Sequence, residues 1–144
     1  MPGPAALKKD IARVATLLLC GSTLTARDTE IARLAEPVAE GHPVAVLRIG
    51  GGMFGGTNPQ FGGHVVVKRA PIGCLCCTAG VVFRASLLGL LHACRPARLI
   101  VDLGSGDHVA TLEAQLQGES LSRVVHMVGR IDLDAAGAEQ VVWP

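Results

Sequence analysis

Apolar runs alternate with amphipathic stretches along most of the chain. Val14–Cys20 reads Val-Ala-Thr-Leu-Leu-Leu-Cys and stops at Gly21-Ser22, the pattern of a buried strand. Segment 28–40 carries Ile31, Leu34, Ala35 and Val38 along one side, which predicts an amphipathic helix. Thr25 and Asp28 have the spacing of a capping box at its start. Pro37 weakens its last turn and Gly41 suits its end. Segment 43–49 predicts a second buried strand. Segment 50–63 is glycine-rich without periodicity and predicts a loop, and 64–69 is a short β-branched strand. Segment 81–94 is apolar and helical in length, and Arg95-Pro96 breaks it. Segment 99–103 is another buried strand, ending in Gly104-Ser105-Gly106. Segment 108–117 predicts a short helix, and 124–128 a last strand followed by a turn over 129–134.

Strands alternating with helices predict an α/β fold, a mostly parallel sheet flanked by helices, in one domain over 1–144. Residues 1–13 lie outside this pattern and are expected to be disordered. In such sheets ligands bind beyond the carboxyl ends of the strands. The loops at Gly21, Cys74, Gly104 and Gly129 are expected near that edge.

Composition narrows the function classes. The 144 residues suffice for a real core, and 49% are hydrophobic. Charged residues are 17% and the formal net charge is +1, which argues against a broad basic surface for nucleic acid. Aromatics are 3%, with no Tyr and one Trp, so stacking platforms for single strands are excluded as well. The apolar run at 14–20 is too short to span a membrane. Ala26-Arg27-Asp28 is a poor cleavage site, so the run is read as a strand and not as a signal segment. The five cysteines are an odd number, and three crowd into Cys74-Leu75-Cys76-Cys77, which does not suit a disulfide framework. A cytoplasmic, thiol-bearing protein is the expectation.

Gly73-Cys74-Leu75-Cys76-Cys77-Thr78 is the most informative stretch. Thiolates are soft ligands for Zn²⁺, Cu(I) and similar ions. Cys74, Cys76 and Cys77 converge on one ion if the backbone turns, and Gly73 helps it turn. Zinc takes a fourth ligand, or a water in an open site. His64, Asp107, His108 and a thiolate of a second chain are the candidates. Two other roles stand beside this one: small buried hydrophobes, or reactive redox thiols. Cys20 is expected to be buried at the end of its strand, and His92, Cys94 and His126 to pack inside. His42 belongs to an exposed Gly-His-Pro turn.

Gly-Cys-Leu-Cys-Cys-Thr after a short strand resembles the signature of CobW-like metallochaperone GTPases, relatives of the nickel-insertion proteins UreG and HypB. The resemblance covers roughly residues 14–135 and implies a P-loop NTPase-like fold, here partial. It implies binding of Zn²⁺, Co²⁺ or Ni²⁺, GTP with Mg²⁺ as cofactor, and a client metalloprotein as partner. Related GTPases dimerise, so it also implies a homodimer that shares the motif between chains. The phosphate-binding loop Gly-x-x-Gly-x-Gly-Lys-Thr falls on Gly21-Ser22-Thr23-Leu24-Thr25-Ala26-Arg27-Asp28. Only Gly21 keeps its glycine. Leu24 and Ala26 replace glycines whose amides cradle phosphate. Arg27 replaces the phosphate lysine, keeping its charge but not its shape. Asp28 replaces a hydroxyl and repels phosphate, or else reaches Mg²⁺ directly.

The family's second acidic element falls on Asp102 in Leu99-Ile-Val-Asp-Leu-Gly, with Asp in place of Glu. Asp132, in Gly-Arg-Ile-Asp, is similar to the last residue of the guanine-reading Asn-Lys-x-Asp. Gly50-Gly51-Gly52 stands where Asn-Glu-Phe-Gly is usual, and Ile72 where Asn is usual. The chain also ends before the family's later strands and its C-terminal domain. The expectation is therefore a pseudo-GTPase domain that holds metal through the Cys-x-Cys-Cys motif. GTP hydrolysis is implied by the resemblance alone, and the changed loop argues against it.

Overall fold

The computed structural model describes residues 13–35, 43–49, 64–70, 79–104, 109–118 and 121–134, with the backbone alone at 79–82. In chain order the elements are β1 (Val14–Cys20), α1 (Leu24–Leu34), β2 (Val44–Ile49), β3 (Val65–Ala70), α2 (Ala79–Cys94), β4 (Arg98–Asp102), α3 (Val109–Gln117) and β5 (Val125–Asp132). The five strands form one sheet in the order β3-β2-β4-β1-β5, and every pairing is parallel.

Successive residues of a strand point to opposite faces, so a continuous apolar run supplies two cores. On one face Leu18, Cys20, Ala45, Leu47, Leu99 and Val101 meet Phe83, Leu87 and Leu90 of α2 and Leu112 and Leu116 of α3. On the other, Leu17, Leu19, Val44, Val46, Ile100 and Ile131 meet Ile31 and Leu34 of α1. Thr16, buried within β1, returns its hydroxyl to the Val14 carbonyl at 3.0 Å, which satisfies it locally.

The helices also follow the direction of travel across the sheet. The chain steps from β1 towards β2 through α1 on one face. It steps back from β3 to β4 through α2, and on from β4 to β5 through α3, both on the other face. One-handed crossovers require this division. The neighbours β1 and β4 therefore send their connections to opposite faces. Their carboxyl ends form a topological switch point, where open parallel sheets leave a crevice.

Helix α1 departs from the sequence reading at both ends, closing at Leu34 with Ala35 as its C-cap rather than at residue 40, and strand β5 departs at its end. Helix α1 begins at Leu24 rather than residue 28, because its first two turns carry no apolar face for periodicity to reveal. Thr25 and Asp28 consequently lie inside the helix and form no capping box. The N-cap is Thr23, in extended conformation without a side-chain cap bond. Strand β5 runs through Asp132 rather than ending at residue 128. Thr16 aligns with Met127 and Leu17 with Gly129, so Val128 is an extra residue and Gly129 belongs to an irregularity inside the strand. His92 and His126 are exposed rather than packed. Segments 1–12, 36–42 and 50–63, including the glycine-rich loop, lie outside the described residues. Among the described residues no helix is long and apolar enough to cross a membrane.

Candidate functional site

The carboxyl ends of β1 and β4 bring Asp102 together with Gly21, Arg27 and Asp28, a stretch more than seventy residues earlier in the chain. Asp102 closes β4, and Arg27 and Asp28 lie on α1 directly after the β1 loop. Arg27 Nε stands 2.8 Å from Asp102 Oδ1, without the alignment of a hydrogen bond. Its Nη1 donates to the Gly21 carbonyl at 2.6 Å. Arg48, from the end of β2, pairs with Asp28 and lies 3.5 Å from Asp102 Oδ2 through Nε. Asp102 Oδ1 also accepts the Gly104 amide at 3.1 Å.

Two guanidiniums and two carboxylates thus form a neutral network over the ends of β1, β2 and β4. The side chains of Arg48 and Asp102 are 5% and 3% exposed, whereas Asp28 keeps 25%. Burial of charge on this scale is tolerated only with partners in place. Arg48 escaped the sequence reading, which treated 43–49 simply as an apolar strand. The signal was present: a lone arginine in a strand buried on both faces requires a carboxylate within reach.

The loop after β1 spends its polar groups internally. The Gly21 amide donates to the Gly104 carbonyl at 2.8 Å, directly across the switch point. The Ser22 amide and hydroxyl both donate to Asp134 Oδ1, at 3.1 and 2.9 Å. A Cβ at Gly21 would lie 3.0 Å from Leu133 Cβ, so close packing under the β5 turn explains this glycine. Asp132 ends β5 and accepts the Asp134 amide at 3.0 Å. It belongs to the same edge but not to the arginine network.

Cys20 is buried beside these groups, its thiol 3.7 Å from the Ile131 carbonyl. Burial first, and the nearby Asp132 carboxylate second, push its pKa up to about 11. It is a neutral thiol at physiological pH and an inert one. Cys94, at the end of α2, is half-buried against the core, and burial raises its pKa too.

His64 lies at the amino end of β3, where Nε2 donates to the Ala35 carbonyl and its own carbonyl accepts the Val44 amide at 2.9 Å. Six residues of strand, about 20 Å, separate it from the carboxyl edge. Cys74, Cys76, Cys77, Asp107 and His108 lie outside the described residues. Among the described residues no three His, Cys, Asp or Glu side chains are grouped to hold a metal ion. The flanking elements still locate the cysteine segment: it joins Ala70, at the carboxyl end of β3, to Ala79, the first residue of α2.

Compared with known protein families, curated proteins and solved structures, the chain matches none.

Proposed function

We propose that the chain is a metal-binding α/β module of CobW-like type, a pseudo-GTPase that holds Zn²⁺, or Co²⁺ or Ni²⁺, for delivery or sensing. Cys74, Cys76 and Cys77 supply the thiolates. The observation that carries this reading is the Cys-x-Cys-Cys spacing in the segment between β3 and α2, which leaves the sheet at its carboxyl edge. The pseudo-GTPase part draws support from the β1 loop, whose Gly21 and Ser22 amides already have partners inside the chain. An amide so engaged is not offered to a phosphate. His64 bonds the Ala35 carbonyl at the opposite edge, so the reading rests on the three thiols, with His108 as the candidate fourth ligand.

Metal analysis of the reduced, purified protein beside Cys76→Ala tests it. The expected result is about one zinc per chain, or half if two chains share the site, lost in the variant. Metal affinity falls as pH is lowered, because thiolates must reprotonate. No metal after reconstitution overturns the reading.

The meeting of Arg27, Asp28 and Asp102 at one edge favours a second reading, a divergent GTPase. In that case millimolar Mg²⁺·GTP raises Tm, since a ligand of the native state must stabilise it. A Tm unmoved by GTP but raised by Zn²⁺ leaves the metal-binding module standing.

A further inference from the structure

We propose that the Arg27–Asp102–Arg48–Asp28 network is an autoinhibitory contact, in which two carboxylates of the chain hold two guanidiniums that otherwise take a multivalent oxyanion. The inference is independent of the cysteine segment and stands on the switch-point geometry.

A crevice between diverging crossovers is where a parallel sheet binds its ligands. Here two arginines, Arg27 of α1 and Arg48 of β2, lie at that carboxyl edge, the residue type best fitted to oxyanions. Both are already engaged: Arg27 by Asp102 and the Gly21 carbonyl, Arg48 by Asp28 and Asp102. An incoming oxyanion meets a neutral network and two carboxylates of its own sign. It also displaces charge pairs that are costly to separate when buried.

The two carboxylates differ in how readily they are released. Asp102 is buried and accepts the Gly104 amide as well. Asp28 is a quarter exposed and, among the described residues, pairs with Arg48 alone. It is therefore the releasable member. With Asp28 replaced by a neutral residue, Arg48 retains Asp102, the fold keeps its buried pair, and the four positions gain one unit of positive charge at the carboxyl edge. A divalent cation or a protein partner that draws Asp28 away produces the same state in the natural chain.

Inorganic pyrophosphate is the probe, with sodium chloride at matched ionic strength as the control for screening. The variants are Asp28→Asn, Asp28→Ser and the double variant Asp28→Asn/Arg48→Met. Thermal unfolding and the phosphorus NMR linewidth of the probe are read together. The expected result is an unmoved wild type and an Asp28→Asn protein whose Tm rises by about 3 °C at millimolar probe. Line broadening accompanies the rise, and the double variant loses both. Equal responses from wild type and Asp28→Asn overturn the proposal, as does a folded Asp28→Asn that ignores the probe. A double variant that still responds removes Arg48 from it. Failure of both single variants to fold also overturns it, because the contact is then a necessary part of the fold. Zinc content enters none of these outcomes, so this proposal and the metal-binding reading fail separately.

Discussion

At the scale of single residues, burial sets the chemistry of Cys20. Cys20 is sealed under the β5 turn, and with its pKa near 11 it stays protonated where an exposed thiol begins to ionise. Native protein at pH 8 should leave Cys20 unalkylated by iodoacetamide over hours, while denatured protein labels at once; equal rates in the two states refute the assignment. The raised pKa also sets a sign for stability. The unfolded thiol loses its proton near pH 9 and the native one near 11, so the native state holds more protons between them. Its contribution is complete below about pH 9 and is lost as pH rises towards 11. Cys20→Ala should flatten the alkaline fall of stability in that window. Gly21, one residue on, is held by space. Its replacement by Ala sets a methyl 3.0 Å from Leu133 Cβ, and the crowding should cost about 1–2 kcal/mol in urea unfolding.

At the scale of elements, what the pattern revealed depended on which physical signal each element carries. Strand β1 was legible to the residue, since an apolar run between polar neighbours has no alternative in a parallel sheet. Helix α2 was legible in its C-terminus because Arg95-Pro96 cannot continue it. The start of α1 was not, because Leu24 to Thr29 covers the sheet edge and no core. Gly129 resembled a turn signal, yet a glycine at a strand irregularity has the same local composition. Of the site, Arg27, Asp28 and Asp102 could be named in advance through resemblance, and the structure joins them. Arg48 could not, since apolar periodicity gives no weight to a single charge. The end of α2 supports a prediction of its own. Arg95 is exposed at φ 46°, a left-handed conformation that costs an L side chain about 1 kcal/mol, and its amide donates to the Leu91 carbonyl at 2.9 Å. Arg95→Gly removes that strain and loses part of the gain to unfolded-chain entropy, for a net stabilisation of about 0.5 kcal/mol. A lower urea midpoint in the variant contradicts this account.

At the scale of the whole molecule, the sheet is joined twice: by its ladder of backbone bonds, and by the charge network that caps β1, β2 and β4 at one edge. The network is the only place among the described residues where α1 of one layer, β2 and β4 meet through side-chain ion pairs. Its members differ sharply in what their loss should do. Removing Arg48 leaves Asp102 buried with Arg27 as its remaining guanidinium, and leaves Asp28 without the arginine it faces. The loss of two charged contacts at once costs about 2–3 kcal/mol, a large fraction of the stability of a domain this size. Removing Asp28 leaves Arg48 with Asp102, and Asp28 itself is partly hydrated, so its loss should cost about 1 kcal/mol. The two changes share one contact, and the double variant Asp28→Asn/Arg48→Ala should therefore be less destabilised than the sum of the singles. Urea unfolding of the four proteins measures all three quantities. If Arg48→Ala unfolds within about 0.5 kcal/mol of wild type, the range of an ordinary surface substitution, the edge is held by the ladder alone and the charges merely sit upon it.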